Sequence, residues 1–173
     1  KESISYPDSL TPVMVNHVGR HGARYPASAS RPLAIKRALE HADSLGTITP
    51  LGKELLQVTE NVITRSNGKW GALDSPGMAE QRGIAARMFT NYPNLFSNGK
   101  ITALSSYAPR CIMSMYSFTH QLARMNNRLE IFTSSGRQNS PLMRPFDIDQ
   151  DYIDYRENKP YEDVLKGFIA ETA

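Results

Sequence analysis

The sequence predicts an α/β fold in which helices flank a central, mostly parallel sheet. Two observations predict this class. Residues 100–134 follow the order strand, helix, strand ("KITALSS", "PRCIMSMYSFTHQLARM", "RLEIFTS"), which is typical of a parallel β-α-β unit. A short Val-rich run near the amino end precedes three helix signals. The chain has 173 residues, of which 40% are hydrophobic, so it can bury one core.

The amino-terminal half is predicted to contain one strand and three helices. The apolar run "PVMVNHV" at 12–18 is short and bounded by Gly19, which predicts a buried strand. Each helix signal pairs a capping residue with a proline in the first turn. The capping residues are Ser30, Thr49 and Ser75, and the prolines are Pro32, Pro50 and Pro76. The first of these helices is expected to end at Gly46.

The carboxyl-terminal half adds the β-α-β unit and a helical end. Its helix is expected to begin at Pro109. Residues beyond Ser134 are loop-like, and "PYEDVLKGFIAETA" at 160–173 predicts another helix that is still running at the end of the chain. We therefore expect residues 1–146 to form the amino-terminal part of an α/β domain and 147–173 to start a helical cap region. Residues outside this chain are expected to complete the domain.

Composition narrows the class of protein. The 20 Lys and Arg against 17 Asp and Glu leave a net charge of +3, far from the basic blocks of nucleic-acid-binding proteins. A single cysteine, Cys111, excludes an internal disulfide. No apolar stretch approaches the roughly 18 residues of a membrane span. A start at Lys1 rather than Met fits an expressed segment or a mature form whose signal peptide has been removed.

The stretch "RHGARYP" at 20–26 predicts an anion site. Arg20, His21 and Arg24 follow the predicted strand directly, and such clustered cations repel one another unless an anion lies between them. Arg110 follows the strand at 100–106 and falls in the first turn of its helix, where backbone N–H groups favour an anion. In parallel sheets both positions lie at the carboxyl edge, so a phosphate site is predicted. The alternative is a solvated turn.

The residue types suit phosphoryl transfer. Neighbouring arginines favour the neutral form of a histidine, whose ring nitrogen is then a nucleophile. Guanidinium groups hold phosphate through paired donors and neutralise developing charge. Gly22 lets the backbone approach the ligand. The remaining histidines are expected to be structural or exposed, and the methionines of the predicted helix are expected to lie in the core. These are His17, His41 and His120, and Met113 and Met115.

These segments resemble the histidine phosphatases. "RHGARYP" resembles the R-H-G-x-R-x-P signature of their acid phosphatase and phytase branch. "SSYAPRC" and "LMRPFD" are similar to segments of multiple inositol polyphosphate phosphatases, so the likeness runs from Val13 to Phe146. The resemblance implies a phosphohistidine intermediate, with no metal and no other cofactor. It also implies that His21 is the nucleophile and that three arginines hold the phosphate: Arg20, Arg24 and Arg110.

The chain departs from the family pattern in two places. Residues 104–107 read Leu-Ser-Ser-Tyr where the wider branch often has Arg-Ser-Thr-Asp. The family also supplies a proton donor from a His-Asp or His-Ala-Glu segment far downstream. The similar "IAETA" has Ile169 in place of the histidine and a helical pattern, so Glu171 is not expected to be the general acid. A complementary carboxyl-terminal polypeptide is expected to supply the donor, unless the chain is a fragment.

The resulting hypothesis is a periplasmic or secreted phosphomonoesterase that hydrolyses phosphorylated inositols such as phytate. Its partner is then a small anionic phosphorylated substrate rather than nucleic acid or membrane. Two alternatives remain open. The chain can be a phosphate- or polyanion-binding fragment without turnover, or an acid phosphatase of broad specificity.

Overall fold

A computed structural model describes residues 9–172 of the chain, so the termini Lys1 and Ala173 lie outside the described residues. In this range the secondary structure comprises seven α-helices and two β-strands. They are α1 (Ser30–Ser44), α2 (Pro50–Ser66), α3 (Ser75–Asn91), β1 (Lys100–Ser105), α4 (Pro109–Met125), β2 (Glu130–Ser135), α5 (Ser140–Met143), α6 (Gln150–Asn158) and α7 (Tyr161–Thr172). Within the same range, every helix is too short or too polar to cross a bilayer.

The sheet consists of β1 and β2 and is parallel. Its register runs from Lys100 opposite Glu130 to Ser105 opposite Ser135. Helix α4 connects the two strands, and helices flank them, so the predicted α/β class and its β-α-β unit are confirmed. Because the strands are parallel and in register, the chain leaves β1 and β2 at the same edge of the sheet. Residues that follow Ser105 and Ser135 are therefore brought together.

The predicted strand at 12–18 is wrong. The segment has no strand pairing within residues 9–172, and Val13 and Val18 are 90% and 96% exposed. It runs beside α4, where Val15 packs on the core and the His17 ring stacks on Phe118 at 5.3 Å between centroids. A Val-rich run becomes a strand when a neighbour accepts and donates its backbone hydrogen bonds, and no described strand lies next to this one.

The core lies between α3, α4 and one face of the sheet. Ala85, Phe96 and Leu122 are its most buried members, at 0%, 4% and 1% exposure. Partly buried side chains surround them, including Met88, Phe89, Tyr92, Ile101, Phe118 and Ile131. The expectation for the α4 methionines is half confirmed, since Met115 is buried while Met113 is 47% exposed.

Capping confirms one predicted helix start and corrects two. Thr49 caps α2, and its Oγ1 accepts a hydrogen bond from the Gly52 N–H at 3.1 Å. Asp74, not Ser75, caps α3, because its carboxylate accepts from the Gly77 N–H at 2.7 Å. Ser30 is the first residue of α1 rather than its cap. Its hydroxyl instead lies 2.8 Å from that of Ser28, within hydrogen-bonding distance.

Residues beyond Ser135 contain more helix than the loop-like sequence predicts. Asp149 caps α6 by accepting from the Tyr152 N–H at 2.8 Å, and α7 forms as predicted. The ion pair between Arg144 and Asp147 spans the predicted boundary at 146/147. The division into two regions stays a prediction.

Candidate active site

Residues 20–26, here called the motif loop, are fixed against the start of α3 by backbone hydrogen bonds. The Asp74 N–H donates to the Ala23 carbonyl at 3.1 Å, and the Tyr25 N–H donates to the Ala72 carbonyl at 3.0 Å. The Gly71 N–H closes the far end of the loop by donating to the Pro26 carbonyl at 2.7 Å. The loop therefore has a defined conformation, although it contains no regular helix or strand.

Two glycines allow the motif loop and α3 to touch through their backbones. A Cβ on Gly22 would lie 2.7 Å from the Gly77 Cα and closer still to the Gly77 carbonyl oxygen. In the other direction, a Cβ on Gly77 would lie 2.7 Å from the Ala23 nitrogen. Neither glycine has a positive φ, so close approach rather than backbone conformation requires them. The sequence indicated Gly22 as a point of close approach, but to a ligand.

Ser114 joins the motif loop to the first turn of α4. The Gly22 N–H donates to the Ser114 Oγ at 3.1 Å, and the Ser114 hydroxyl donates to the Arg110 carbonyl at 2.8 Å. Ser114 is buried, so these bonds are shielded from water. The two segments that the sequence identified separately, around His21 and around Arg110, are thus tied together through one side chain.

Replacing Ser114 by alanine is expected to destabilise the protein by about 1–3 kcal/mol, because the buried Gly22 N–H loses its acceptor. Loosening of the motif loop should also lower kcat for a phosphate ester. Urea denaturation and steady-state kinetics measure the two effects. The matched control is Ser117→Ala, a buried serine on α4 that makes no hydrogen bond to the motif loop. Equal losses for both variants would show that the link has no special role.

The His21 ring is half-buried and fixed in orientation. Its Nδ1 lies 2.8 Å from the Gly22 carbonyl oxygen, and because a carbonyl can only accept, Nδ1 carries the hydrogen in this bond. In a neutral ring this tautomer leaves the Nε2 lone pair available, as a nucleophilic histidine requires.

Two open depressions meet at His21. One, of about 490 Å³, is formed entirely by the motif loop and includes Arg20 and Arg24. The other, of about 440 Å³, lies between Arg20, His21 and the side of α3 that carries Glu80 and Arg87. The candidate nucleophile is therefore accessible from solvent and bordered by guanidinium groups.

The three predicted phosphate-binding arginines form no ion pair with a carboxylate within residues 9–172. Arg20 is exposed, and Arg24 donates from Nη1 to the Tyr25 carbonyl at 3.0 Å. Arg110 is half-buried and lines neither depression, although its helix is bonded to the motif loop. Its Nε and the Oγ of Ser106 are buried without a hydrogen-bond partner. No carboxylate of the described residues therefore balances the charge of these three guanidinium groups.

Some site residues were not identified from the sequence. Glu80 accepts from the Ala23 N–H at 2.8 Å, and Gln81 donates from Nε2 to the Arg20 carbonyl at 3.2 Å. Both lie on α3 about 60 positions away, and no local pattern distinguishes them from other polar helix residues. Ser114 was also missed, but its signal was present: it lies four residues after Arg110 and hence on the same helix face.

A second polar cluster lies at the carboxyl edge of the sheet, around Tyr107. Its hydroxyl donates to Asp147 Oδ2 at 2.9 Å, and the same carboxylate is held by both Nε and Nη2 of Arg144. Hydrogen bonding from Arg144 is the main reason that the pKa of Asp147 lies below its ordinary value, with the Tyr107 hydroxyl acting in the same direction. The guanidinium Cζ of Arg137 lies 4.5 Å from the Tyr107 ring centroid.

The remaining His and Glu residues that the sequence analysis discussed lie on the protein surface. His41 and His120 are exposed, in agreement with their expected structural or surface role. Glu171 lies on α7 and is exposed. Across residues 9–172, no group of three or more His, Cys, Asp or Glu side chains is placed to hold a metal ion.

Comparison with known proteins identifies the family of this chain. Residues 13–169 match the sequence profile of the histidine phosphatase superfamily (branch 2). This match spans most of the chain, and the chain therefore belongs to that superfamily. Among curated proteins, no significant match to the chain was found. Membership implies phosphatase activity through a phosphohistidine and a small phosphorylated substrate.

Proposed function

We propose that the protein is a phosphomonoesterase that hydrolyses phosphorylated inositols, such as phytate, with His21 as its nucleophile. The observation that carries this proposal is the hydrogen bond from His21 Nδ1 to the Gly22 carbonyl, which in a neutral ring leaves the Nε2 lone pair available. Arg20 and Arg24 line the same depression as His21 and form no ion pair within residues 9–172. The inositol part rests on the resemblance of "SSYAPRC" and "LMRPFD" to inositol polyphosphate phosphatases. The same resemblance leads us to propose a periplasmic or secreted location.

The proposed reaction has two steps. His21 Nε2 attacks phosphorus, the new P–N bond forms as the ester P–O bond breaks, and the leaving alkoxide takes up a proton. Water then attacks the phosphohistidine, which releases inorganic phosphate and restores the free imidazole. Arg20 and Arg24 bind the oxygens of the transferring group from the motif loop, and Arg110 binds from the first turn of α4. Their charges stabilise the transition state more than the ground state.

A complementary polypeptide is part of the proposal, as the source of the proton donor. The exposed apolar side chains near the motif loop support it, since Val13 and Val18 at 90% and 96% exposure are unusual for a run of this composition. Phe132 on β2 is also 56% exposed. These groups offer a surface that a further segment of the fold can cover.

Rapid quenching with a ³²P-labelled ester tests the reaction. We expect a labelled protein whose phosphate is lost in acid and retained in base, as a phosphoramidate requires. We also expect a higher kcat/KM for inositol hexakisphosphate than for p-nitrophenyl phosphate. Similar values for both esters would favour an acid phosphatase of broad specificity. Phosphate binding without label or turnover would favour the binding-fragment alternative.

The same sample tests the source of the proton donor. Its intact mass shows whether the active preparation contains the 19.3 kDa chain alone or a second polypeptide as well. Rapid turnover of an ester with a poor leaving group by the single chain would contradict an external donor, because such a leaving group needs protonation.

A further inference from the structure

Arg137 occupies a distinctive position outside the motif loop. It follows the end of β2 at Ser135 and lies at the same sheet edge as the loop from β1 to α4. Its guanidinium Cζ lies 4.5 Å from the ring centroid of Tyr107, over the ring face. Tyr107 lies three residues before Arg110, in the loop that leads into α4. Its contact with Arg137 therefore holds Arg137 against that loop.

The local backbone around Arg137 is fixed to that loop. Asn139 is buried and donates from Nδ2 to the Ser105 carbonyl at 2.9 Å and to the Ser134 carbonyl at 3.1 Å. One amide group thus ties the turn that carries Arg137 to the ends of both strands. Because Asn139 is bonded to the ends of both strands, the turn that carries Arg137 has a fixed position at the sheet edge.

Arg144 provides an internal comparison. Its guanidinium lies 5.3 Å from the same Tyr107 ring, but its Nε and Nη2 both donate to the Asp147 carboxylate, which balances its charge. Arg137, by contrast, makes no ion pair within residues 9–172 and is exposed. Contact with an aromatic face restrains a guanidinium while leaving its in-plane N–H donors free. Of the two arginines on Tyr107, Arg144 is neutralised and Arg137 is available to a ligand.

We propose that Arg137, held on Tyr107, binds a second phosphate group of the substrate beside the group that is transferred to His21. This inference rests on the proposed function and narrows its substrate class to molecules with at least two phosphates. Such a molecule would place one phosphate among Arg20, Arg24 and Arg110 and another against Arg137. A monophosphate ester or inorganic phosphate has no group for the second position.

Binding measurements test the inference without requiring turnover. Calorimetry gives the Kd of inositol hexakisphosphate and of inorganic phosphate, and their ratio defines a preference for the polyphosphate. Arg137→Ala is expected to lower this preference about tenfold, equivalent to about 1.4 kcal/mol, since one charge-assisted contact is lost. Arg128→Ala is the matched control, because Arg128 is also exposed but lies just before β2, at the opposite end of the strand. It should change the preference less than twofold.

Both variants remove one positive charge, so both weaken the general electrostatic attraction of the protein for anions equally. A larger effect of Arg137→Ala would therefore reflect a local contact with the ligand. Equal losses of preference in the two variants would overturn the inference, as would an unchanged preference in Arg137→Ala. A wild-type protein that binds inositol hexakisphosphate no more tightly than phosphate would also overturn it. Failure of the proposed function would give a different result. In that case no phosphate would be released from inositol hexakisphosphate or from p-nitrophenyl phosphate, whatever the ratio of the two Kd values.

Discussion

Replacing His21 by alanine is expected to lower kcat for phosphate esters by at least about 10³-fold, because the nucleophile that forms the phosphoenzyme is removed. Among the residues that line the two depressions, His21 is the only one with an imidazole, so no second histidine stands ready to replace it. The label trapped by rapid quenching should disappear with the activity. Inorganic phosphate should still bind within a few-fold of the wild-type Kd, because the arginines remain.

A second histidine supplies the control for this variant. His120 is exposed on α4 and lies outside the residues that line either depression. His120→Ala is expected to keep kcat within about twofold and to label normally. If His21→Ala kept wild-type turnover, the covalent mechanism would be wrong. If it lost phosphate binding as well as turnover, His21 would be a binding residue rather than the nucleophile.

The sequence predicted those parts of the fold that depend on local patterns. Thr49 and Pro50 mark the start of α2, and Pro109 marks the start of α4, because capping and fixed backbone angles act within one turn. The β-α-β unit could be identified because its strands and helix differ in hydrophobic period. The small sheet then places the ends of β1 and β2 together, as the parallel arrangement requires.

The strand assigned to 12–18 shows where local patterns fail. Apolar, β-branched composition describes what a segment can become, whereas strand formation also needs a partner that supplies backbone hydrogen bonds. The described part of the chain offers no such partner to this segment, and Val13 and Val18 are exposed. Partner availability is a long-range property, so composition alone could not reveal it.

The charged residues of the candidate site could be predicted from the sequence, but the residues that hold the motif loop in place could not. Arg20, His21 and Arg24 are adjacent in the sequence, and their chemistry is visible there. Contacts from Glu80 and Ser114 join segments 57 and 92 positions apart, and these separations leave no local trace. The position of Arg137 likewise depends on strand pairing. Sequence reasoning therefore named the groups that we propose to bind phosphate, while the groups that hold them in place could be identified only from the structure.

Replacing Gly77 by alanine is expected to destabilise the protein strongly. The new Cβ would lie 2.7 Å from the Ala23 nitrogen and overlap the Ala23 carbonyl oxygen, both of which are backbone atoms that cannot rotate away. The motif loop and α3 would have to separate, which would strain the Asp74 hydrogen bond to Ala23. Overpacking typically destabilises by about 1–3 kcal/mol, and we expect the upper end here because backbone atoms are in the way. The gain in helix propensity, at most about 1 kcal/mol, is too small to offset it.

Gly167→Ala is the matched control, because it adds the same methyl group where no neighbouring atom lies close. Gly167 lies within α7, and a Cβ there would meet no atom within 4 Å. Gly167→Ala is expected to leave stability unchanged or raise it by up to about 1 kcal/mol, since alanine is the better helix former. Urea midpoints of the two variants should therefore move in opposite directions, and Gly77→Ala should also lose phosphatase activity because the motif loop is displaced. Equal midpoints would mean that α3 and the motif loop do not meet through their backbones, and the support of His21 would have to be sought elsewhere.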